Sequence, residues 1–393
     1  MSIAQPGPPP SAFDGGSLVN LMASLIEGLG GAAPAGCPPL ATLSAAEVAD
    51  ARTVVLFLVD GMGDHLLARH GNLLRRWQRG TLTSVFPTST APAVTTILTG
   101  QPPSRHGITG WFMNLRELAT SAAILAFRSR WGGQTFDHAG VDASQLVGGS
   151  PIFQRLPVRS YVLMPRPLVD TPYTRSMSGP AERLAYDALE DCLAAVVGLA
   201  QAPGSERRYV YAYWPRLDSL CHIHGSHSHL AVAHLVGLER AIVAAVDALR
   251  GSNSLLLITA DHGFTDAPRE ARLCLEAYPQ LQECLTIPLT GEPRVAYCHV
   301  RAGWDARFEQ RFDEAFHGGA ELYRSQALID AGWFGPGPVH PRLSERVGDY
   351  AVVCGPGRVL IDQLATGPEF EQLGVHGGIS EEELQVPLLS VRC

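Results

Sequence analysis

Asp218-Ser-Leu-Cys-His222 sets a carboxylate and an imidazole four residues apart, Asp261-His262 sets a second such pair side by side, and His376 lies in the glycine-lined run Gly374-Val-His-Gly-Gly378. With Asp60 these side chains make a hard and borderline O/N donor set, which suits Zn(II) or Mn(II) and is too rich in imidazole for Mg(II) or Ca(II) alone. The candidate nucleophile is Thr90, in Pro87-Thr-Ser-Thr-Ala-Pro-Ala93. Pro92 suits the first turn of a helix, which puts Thr90 near the amino end, where free N–H groups and the macrodipole favour a phosphate or an alkoxide. A Thr hydroxyl is a poor nucleophile unless something stabilises its alkoxide, and a bound divalent metal does so without a separate base. An ordinary helix cap would look the same at Thr90 alone. The surrounding ligand set is what favours chemistry.

These residues need elements to hold them. Thr53–Val59 is an unbroken apolar run of strand length that ends in Asp60 and Gly61, the pattern of a buried parallel strand. Residues 208–213 and 254–259 repeat it and lead into Asp218 and Asp261. Apolar strands that deliver acids at their carboxyl ends are expected of a doubly wound, mostly parallel α/β sheet, where ligands bind beyond those ends. Acids also open loops in many α/β proteins, so this feature alone leaves function open. Residues 64–79 read as an amphipathic helix, 81–85 as a strand before Thr90, and 228–250 as a long helix.

The expected organisation is an N-terminal arm over 1–40, packed on the surface, and an α/β core in three parts, 41–108, 181–290 and 371–393. Insertions at 109–180 and 291–370 would form a small cap lobe over the site. The arm is rich in Pro, Gly and Ala around one apolar helical pattern at 17–29. The second insertion shows strands near 294–300 and 349–354 around a helix at 305–316.

Bulk properties exclude several function classes. At 393 residues and 46% hydrophobic residues the chain can bury a large core, and its net charge of -8 argues against a nucleic-acid polymer as partner. It contains no lysine, which removes a Walker A loop and Schiff-base chemistry. No signal-peptide pattern or membrane-spanning run stands out, so a cytoplasmic protein without a membrane partner is expected. The cysteines are scattered without metal-finger spacing and are expected to be reduced. Oligomeric state is not legible.

In chain order, Val59-Asp-Gly61, Pro87-Thr-Ser-Thr90, Thr99-Gly100, Ser104-Arg-His-Gly107, Asp218 to His222, Thr259-Ala-Asp-His-Gly263 and Val375-His-Gly377 resemble the alkaline phosphatase superfamily. Within it the pattern is most similar to the type I phosphodiesterase/nucleotide pyrophosphatase branch. The resemblance covers residues 53–107, 209–264 and 373–389 and is thin over the insertions. It implies an alkaline phosphatase-like fold and two divalent metals, zinc first and manganese second. Asp60, Thr90, Asp261 and His262 would hold one metal, and Asp218, His222 and His376 the other. Thr90 would attack a small phosphoester and carry the phosphoryl group as an intermediate.

A phosphomonoesterase or phosphonate hydrolase on the same metals is the nearer alternative. A catalytically inactive metal-binding module is the alternative of another class, and a missing ligand would be its mark. Thr at the nucleophile speaks against a sulfatase.

The chain departs from the nucleotide-cleaving pattern around the substrate. The Phe that follows the nucleophile and forms one side of a base slot is Ala91 here, whereas the stacking Tyr has a counterpart in Tyr213. The phosphate-contacting Asn falls where this chain reads Gly110-Trp-Phe-Met-Asn114, so Trp111 replaces it or Asn114 fills its role. Arg116, Arg128 and Arg130 could grip a second anionic group of the substrate or pair with local acids. Trp111, Phe112 and Trp131 could stack on a ring or form the lobe's own core. His224, His227 and His229 could supply an extra metal ligand, and otherwise read as exposed loop residues that orient the true ligands.

Overall fold

The computed structural model describes residues 3–316, 318–364 and 369–393. Its centre is a seven-stranded sheet in the order Gln78–Thr83, Gln385–Arg392, Ser254–Thr259, Thr53–Val59, Arg208–Trp214, Arg159–Pro165 and Glu182–Tyr186. The strands from Ser254–Thr259 to Glu182–Tyr186 all pair in parallel, and only the C-terminal strand runs against its neighbours. The fold is therefore the mostly parallel α/β sheet expected. Thr53–Val59, Arg208–Trp214 and Ser254–Thr259 are buried at every position, which is why they read as continuous apolar runs.

A second seven-stranded sheet, antiparallel throughout, is assembled from both insertions. Phe112–Leu115, Thr120–Ala123 and Arg128–Ser129 come from the first, and Thr290–Gly291, Val295–Cys298, Ala320–Arg324 and Tyr350–Cys354 lie around the second. The two halves meet where Gly291 pairs with Phe112.

Four expectations need correction. The strand Arg159–Pro165 falls within the expected 109–180 insertion, yet it belongs to the central sheet, paired with Arg208–Trp214. The expected surface arm contains a helix, Leu18–Gly28, with every residue but Glu27 buried. That helix packs on Thr90–Thr99, close enough that a Cβ on Gly100 would collide with Ile26. The helix expected over 64–79 stops at His70, because Asn72 and Leu74 give their backbone N–H groups to Glu239 Oε1 rather than to a helical carbonyl. The chain then turns through Leu74–Trp77 into the edge strand Gln78–Thr83.

The fourth concerns membrane spans. The helix His229–Ala248 has the length and mean hydropathy, 1.5, of a span. Its Ala231, Leu235, Leu238, Ile242, Ala245 and Val246 are buried, and it packs on the helices Leu189–Gln201 and Arg216–His224.

Candidate active site

Parallel strands open their carboxyl ends along one edge of the sheet, and the chain uses that edge. Asp60 follows Thr53–Val59, and Asp261 and His262 follow Ser254–Thr259 across a parallel pairing. Arg208–Trp214 leads into the helix Arg216–His224, which carries Asp218 in its first turn and His222 one turn later on the same face. Gly374–Val375 pairs antiparallel with Thr265–Asp266, and this short ladder delivers His376 beside His262. Thr90 opens the helix Thr90–Thr99 behind its N-cap Ser89. The first-turn N–H groups of such a helix have no helical partner.

The polar atoms converge. Thr90 Oγ1 lies 3.1 Å from His262 Nε2, which is 3.4 Å from Asp60 Oδ1 and 3.5 Å from Asp261 Oδ2. His222 Nε2 lies 3.3 Å from Asp218 Oδ1 and 3.3 Å from His376 Nε2. Candidate ligand atoms of Asp218, His222 and His376 fall within 4.8 Å of one another, as do those of Asp60, Asp218 and His262. Asp218 thus belongs to both groups. The seven residues expected to do the chemistry occupy one site.

Three observations fit cations there. Each imidazole commits Nδ1 to a backbone carbonyl: His222 to Gly374 at 2.8 Å, His262 to Gly263 at 3.0 Å and His376 to Thr88 at 3.1 Å. A ring that donates from Nδ1 keeps a lone pair on Nε2, and all three Nε2 atoms face the cluster. Asp60 Oδ1, Asp218 Oδ1 and Asp261 Oδ2 are buried without a hydrogen-bond donor. Charges so placed are costly unless paired or coordinated to a metal.

The titration shifts agree. Burial, then the charges of Asp261 and Asp218, push the Asp60 carboxyl well above its ordinary range. Burial, then His262 and His222, hold His376 well below its own, keeping it neutral and able to coordinate. At His222 burial works in the lowering direction, but Asp218 and the Gly374 carbonyl outweigh it and the net shift is upward. The other oxygens of Asp261 and Asp60 are fixed: Asp261 Oδ1 accepts from Gly61 N and His262 N at 3.1 Å each, and Asp60 Oδ2 accepts from the Tyr213 hydroxyl.

A cavity of about 810 Å³ opens from this cluster. Asp60, Thr90, Asp218, His222 and His376 line it, together with an apolar wall that includes Val94, Leu98, Leu125, Val162, Met164 and Leu168. Tyr213 and Trp111 line it, and Tyr213 is also tied to Asp60. Asn114 and Arg116 do not reach it. Phe112 is at the cavity, and the strand then carries Asn114 and Arg116 outward to a second cavity, where Arg116 lies 3.6 Å from Glu345. Arg130 does line the first cavity, stacked over Phe112 and bonded to the Leu289 carbonyl and Asp362.

Glu292 is a site residue that the sequence did not reveal. It lines the cavity beside the ligands, and its Oε1 accepts from Ser89 Oγ and from Trp111 N at 2.6 Å. Burial pushes its carboxyl up to about 7, against the lowering effect of those two donors. One Glu in Thr290-Gly-Glu-Pro-Arg294 reads as a solvent-exposed turn. The glycine and proline around it were the available signal.

A family model for type I phosphodiesterase / nucleotide pyrophosphatase matches residues 54–378. The chain belongs to that family. It is a phosphodiesterase/nucleotide pyrophosphatase-type hydrolase with an alkaline phosphatase-like fold. No curated protein sequence matches it significantly.

Among solved structures it is similar to murine ectonucleotide pyrophosphatase / phosphodiesterase 5, with 21% identity, a TM-score of 0.65, and 85% of this chain and 87% of that one covered. The human ectonucleotide pyrophosphatase / phosphodiesterase 5 gives 20% identity, a TM-score of 0.65, and 86% and 87% coverage. An inactive form of the murine protein in complex with AMP gives 21% identity, a TM-score of 0.64, and 85% and 87% coverage. At these identities the likeness speaks to fold.

Proposed function

We propose that this hydrolase cleaves small phosphodiesters with Thr90 as nucleophile, at a site where Asp60, Asp261 and His262, and Asp218, His222 and His376, hold two divalent cations, zinc or manganese. The observation that carries the reading is the convergence of three Nε2 lone pairs and three undonated carboxylate oxygens around Thr90 Oγ1. Bound divalent metals supply Lewis-acid stabilisation of a Thr alkoxide and of the charge on phosphoryl oxygens. Thr90, at the helix start, presents its hydroxyl and the adjacent free N–H groups to the phosphoryl group. Attack would leave the phosphoryl group on Thr90 and release one alcohol, and water would then free the enzyme and a monoester. Tyr213 keeps Asp60 oriented, its hydroxyl held in the protonated form by burial and then by the Asp60 charge.

The substrate's ester group would lie along the wall of Val94, Leu98, Leu125, Val162, Met164 and Leu168. That wall suits an apolar or aromatic group. With Ala91 in place of a stacking residue, a nucleotide base gains at most a weak preference. The phosphomonoesterase reading has less support, because Arg130 is the one guanidinium among the described lining residues and it is already paired with Asp362.

The reading is tested on purified, zinc-loaded protein with a bis-aryl phosphate, an aryl ester of a nucleoside phosphate and an aryl phosphate monoester. The bis-aryl diester is expected to be cleaved fastest. A monoester rate above both diester rates would point to the phosphomonoesterase.

A further inference from the structure

Glu292 stands at the junction of three segments, and glycines make room for it. The backbones of Gly110 and Gly291 approach so closely that a Cβ on Gly110 would lie 2.7 Å from Gly291 Cα. This approach brings Trp111 N within 2.6 Å of Glu292 Oε1. On the other side a Cβ on Gly377, next to His376, would lie 2.7 Å from Glu292 Cβ. The Oγ of Ser89, the residue before Thr90, bonds to the same Oε1. Both donors are spent on Oε1, and Oε2 has no hydrogen-bond partner among the described residues, although Glu292 lines the cavity that holds Thr90. The titratable groups that act on its carboxyl are His222, which lowers it, and Asp218, which raises it.

We infer that Glu292 is the residue that makes this site prefer monoanionic phosphodiesters over dianionic phosphomonoesters. The inference rests on the reading of the site as a phosphoesterase. A diester bears one charge on its phosphoryl group, and one corner carries an ester substituent. A monoester carries a charged oxygen at that corner. A carboxylate in the cavity that holds Thr90, bonded to the residue before it, offers that oxygen lone pairs and like charge, and in a partly desolvated pocket such repulsion is worth about tenfold in affinity. A diester can turn its substituent toward Glu292 and avoid this. The same repulsion acts on the product, because hydrolysis of a diester leaves a monoester with one more charge. Glu292 would therefore also hasten product release.

The test compares wild type with Glu292→Gln, an isostere that keeps the acceptor for Ser89 and Trp111 and removes the charge. Assays at about pH 8.5 keep the wild-type carboxyl ionised. Metal content is measured in parallel, so that a lost metal is not read as altered specificity. Two readouts are taken: the ratio of kcat/KM for a bis-aryl diester to that for an aryl monoester, and the Kd of inorganic phosphate by calorimetry. In the variant the ratio is expected to fall by about tenfold or more, mostly through the monoester KM, and phosphate to bind about tenfold more tightly.

An unchanged ratio together with an unchanged phosphate Kd, at equal metal content, would overturn the inference. If metal-loaded wild type cleaved neither ester, the phosphoesterase reading would fail instead, and the phosphate Kd would still decide whether Glu292 excludes dianions. If the Gln variant does not fold, Glu292→Asp, which draws the charge back by one methylene, gives the same two readouts with smaller changes in the same directions.

Discussion

His222, His262 and His376 each spend Nδ1 on a main-chain carbonyl, so their tautomers are set by the backbone. Asp60 and Asp261 are aimed in the same way, by Tyr213 and by the Gly61 and His262 N–H groups. These residues were legible in the sequence because most of them follow apolar strands or share a short motif. Glu292 was not, since its partners Ser89 and Trp111 lie far away in sequence and no local pattern announces a buried acid.

Its burial has a measurable consequence. In metal-free protein the folded-state carboxyl titrates at about 7 instead of the ordinary 4.5. The native state then binds more protons than the unfolded chain between those values, so this group's contribution to stability is present below pH 4.5 and is lost as pH rises through 7. The loss amounts to about 3 kcal/mol. Chelated Glu292→Gln, which lacks this titration, should gain on wild type as pH rises from about 5 to about 8 in denaturant unfolding. A stability difference that stays constant across that range would mean the carboxyl is not buried as described.

At the scale of elements, the sheet that frames the cavity is built from two insertions far apart in sequence, and Gly291 opposite Phe112 is where they join. Periodicity identifies strands within each insertion but carries no information about pairing between them, so the shared sheet was not legible. The strand Arg159–Pro165 is placed in the lobe by sequence because the short apolar run Tyr161–Met164, flanked by arginines and prolines, looks the same in a lobe and in a core. The 64–79 segment failed for another reason: Glu239, a distant residue, captures the backbone N–H groups of Asn72 and Leu74. Tertiary contacts override a helical period in this way. The junction itself can be probed with Gly110→Ala, whose Cβ would press on Gly291 Cα at 2.7 Å. Overpacking between two backbones should cost about 1–3 kcal/mol and pull Trp111 N from Glu292. Thermal unfolding reads the first effect and the diester-to-monoester ratio the second. Unchanged values of both would show that the junction tolerates separation.

Across the whole molecule, the site lies at the carboxyl edge of the central sheet and draws on every part of the core, from Asp60 to His376. The buried helix Leu18–Gly28 braces the helix that carries Thr90, so the N-terminal segment supports the nucleophile from behind. Asp60, Asp218 and Asp261 bring acids to one place, and a ligand that binds only the folded state stabilises it by mass action, about 4 kcal/mol at a thousandfold excess over Kd. Chelation should therefore lower Tm, and added zinc should restore it. A Tm indifferent to both would leave the acids without their expected partner.

The central claim, that Thr90 attacks phosphorus, is tested most directly by chemical trapping. Zinc-loaded protein turning over a labelled phosphodiester is quenched in acid, digested and mapped. Label on the peptide that contains Thr90, absent from Thr90→Ala, is the predicted result. A peptide free of label when the second step limits turnover would contradict it and assign the attack to water.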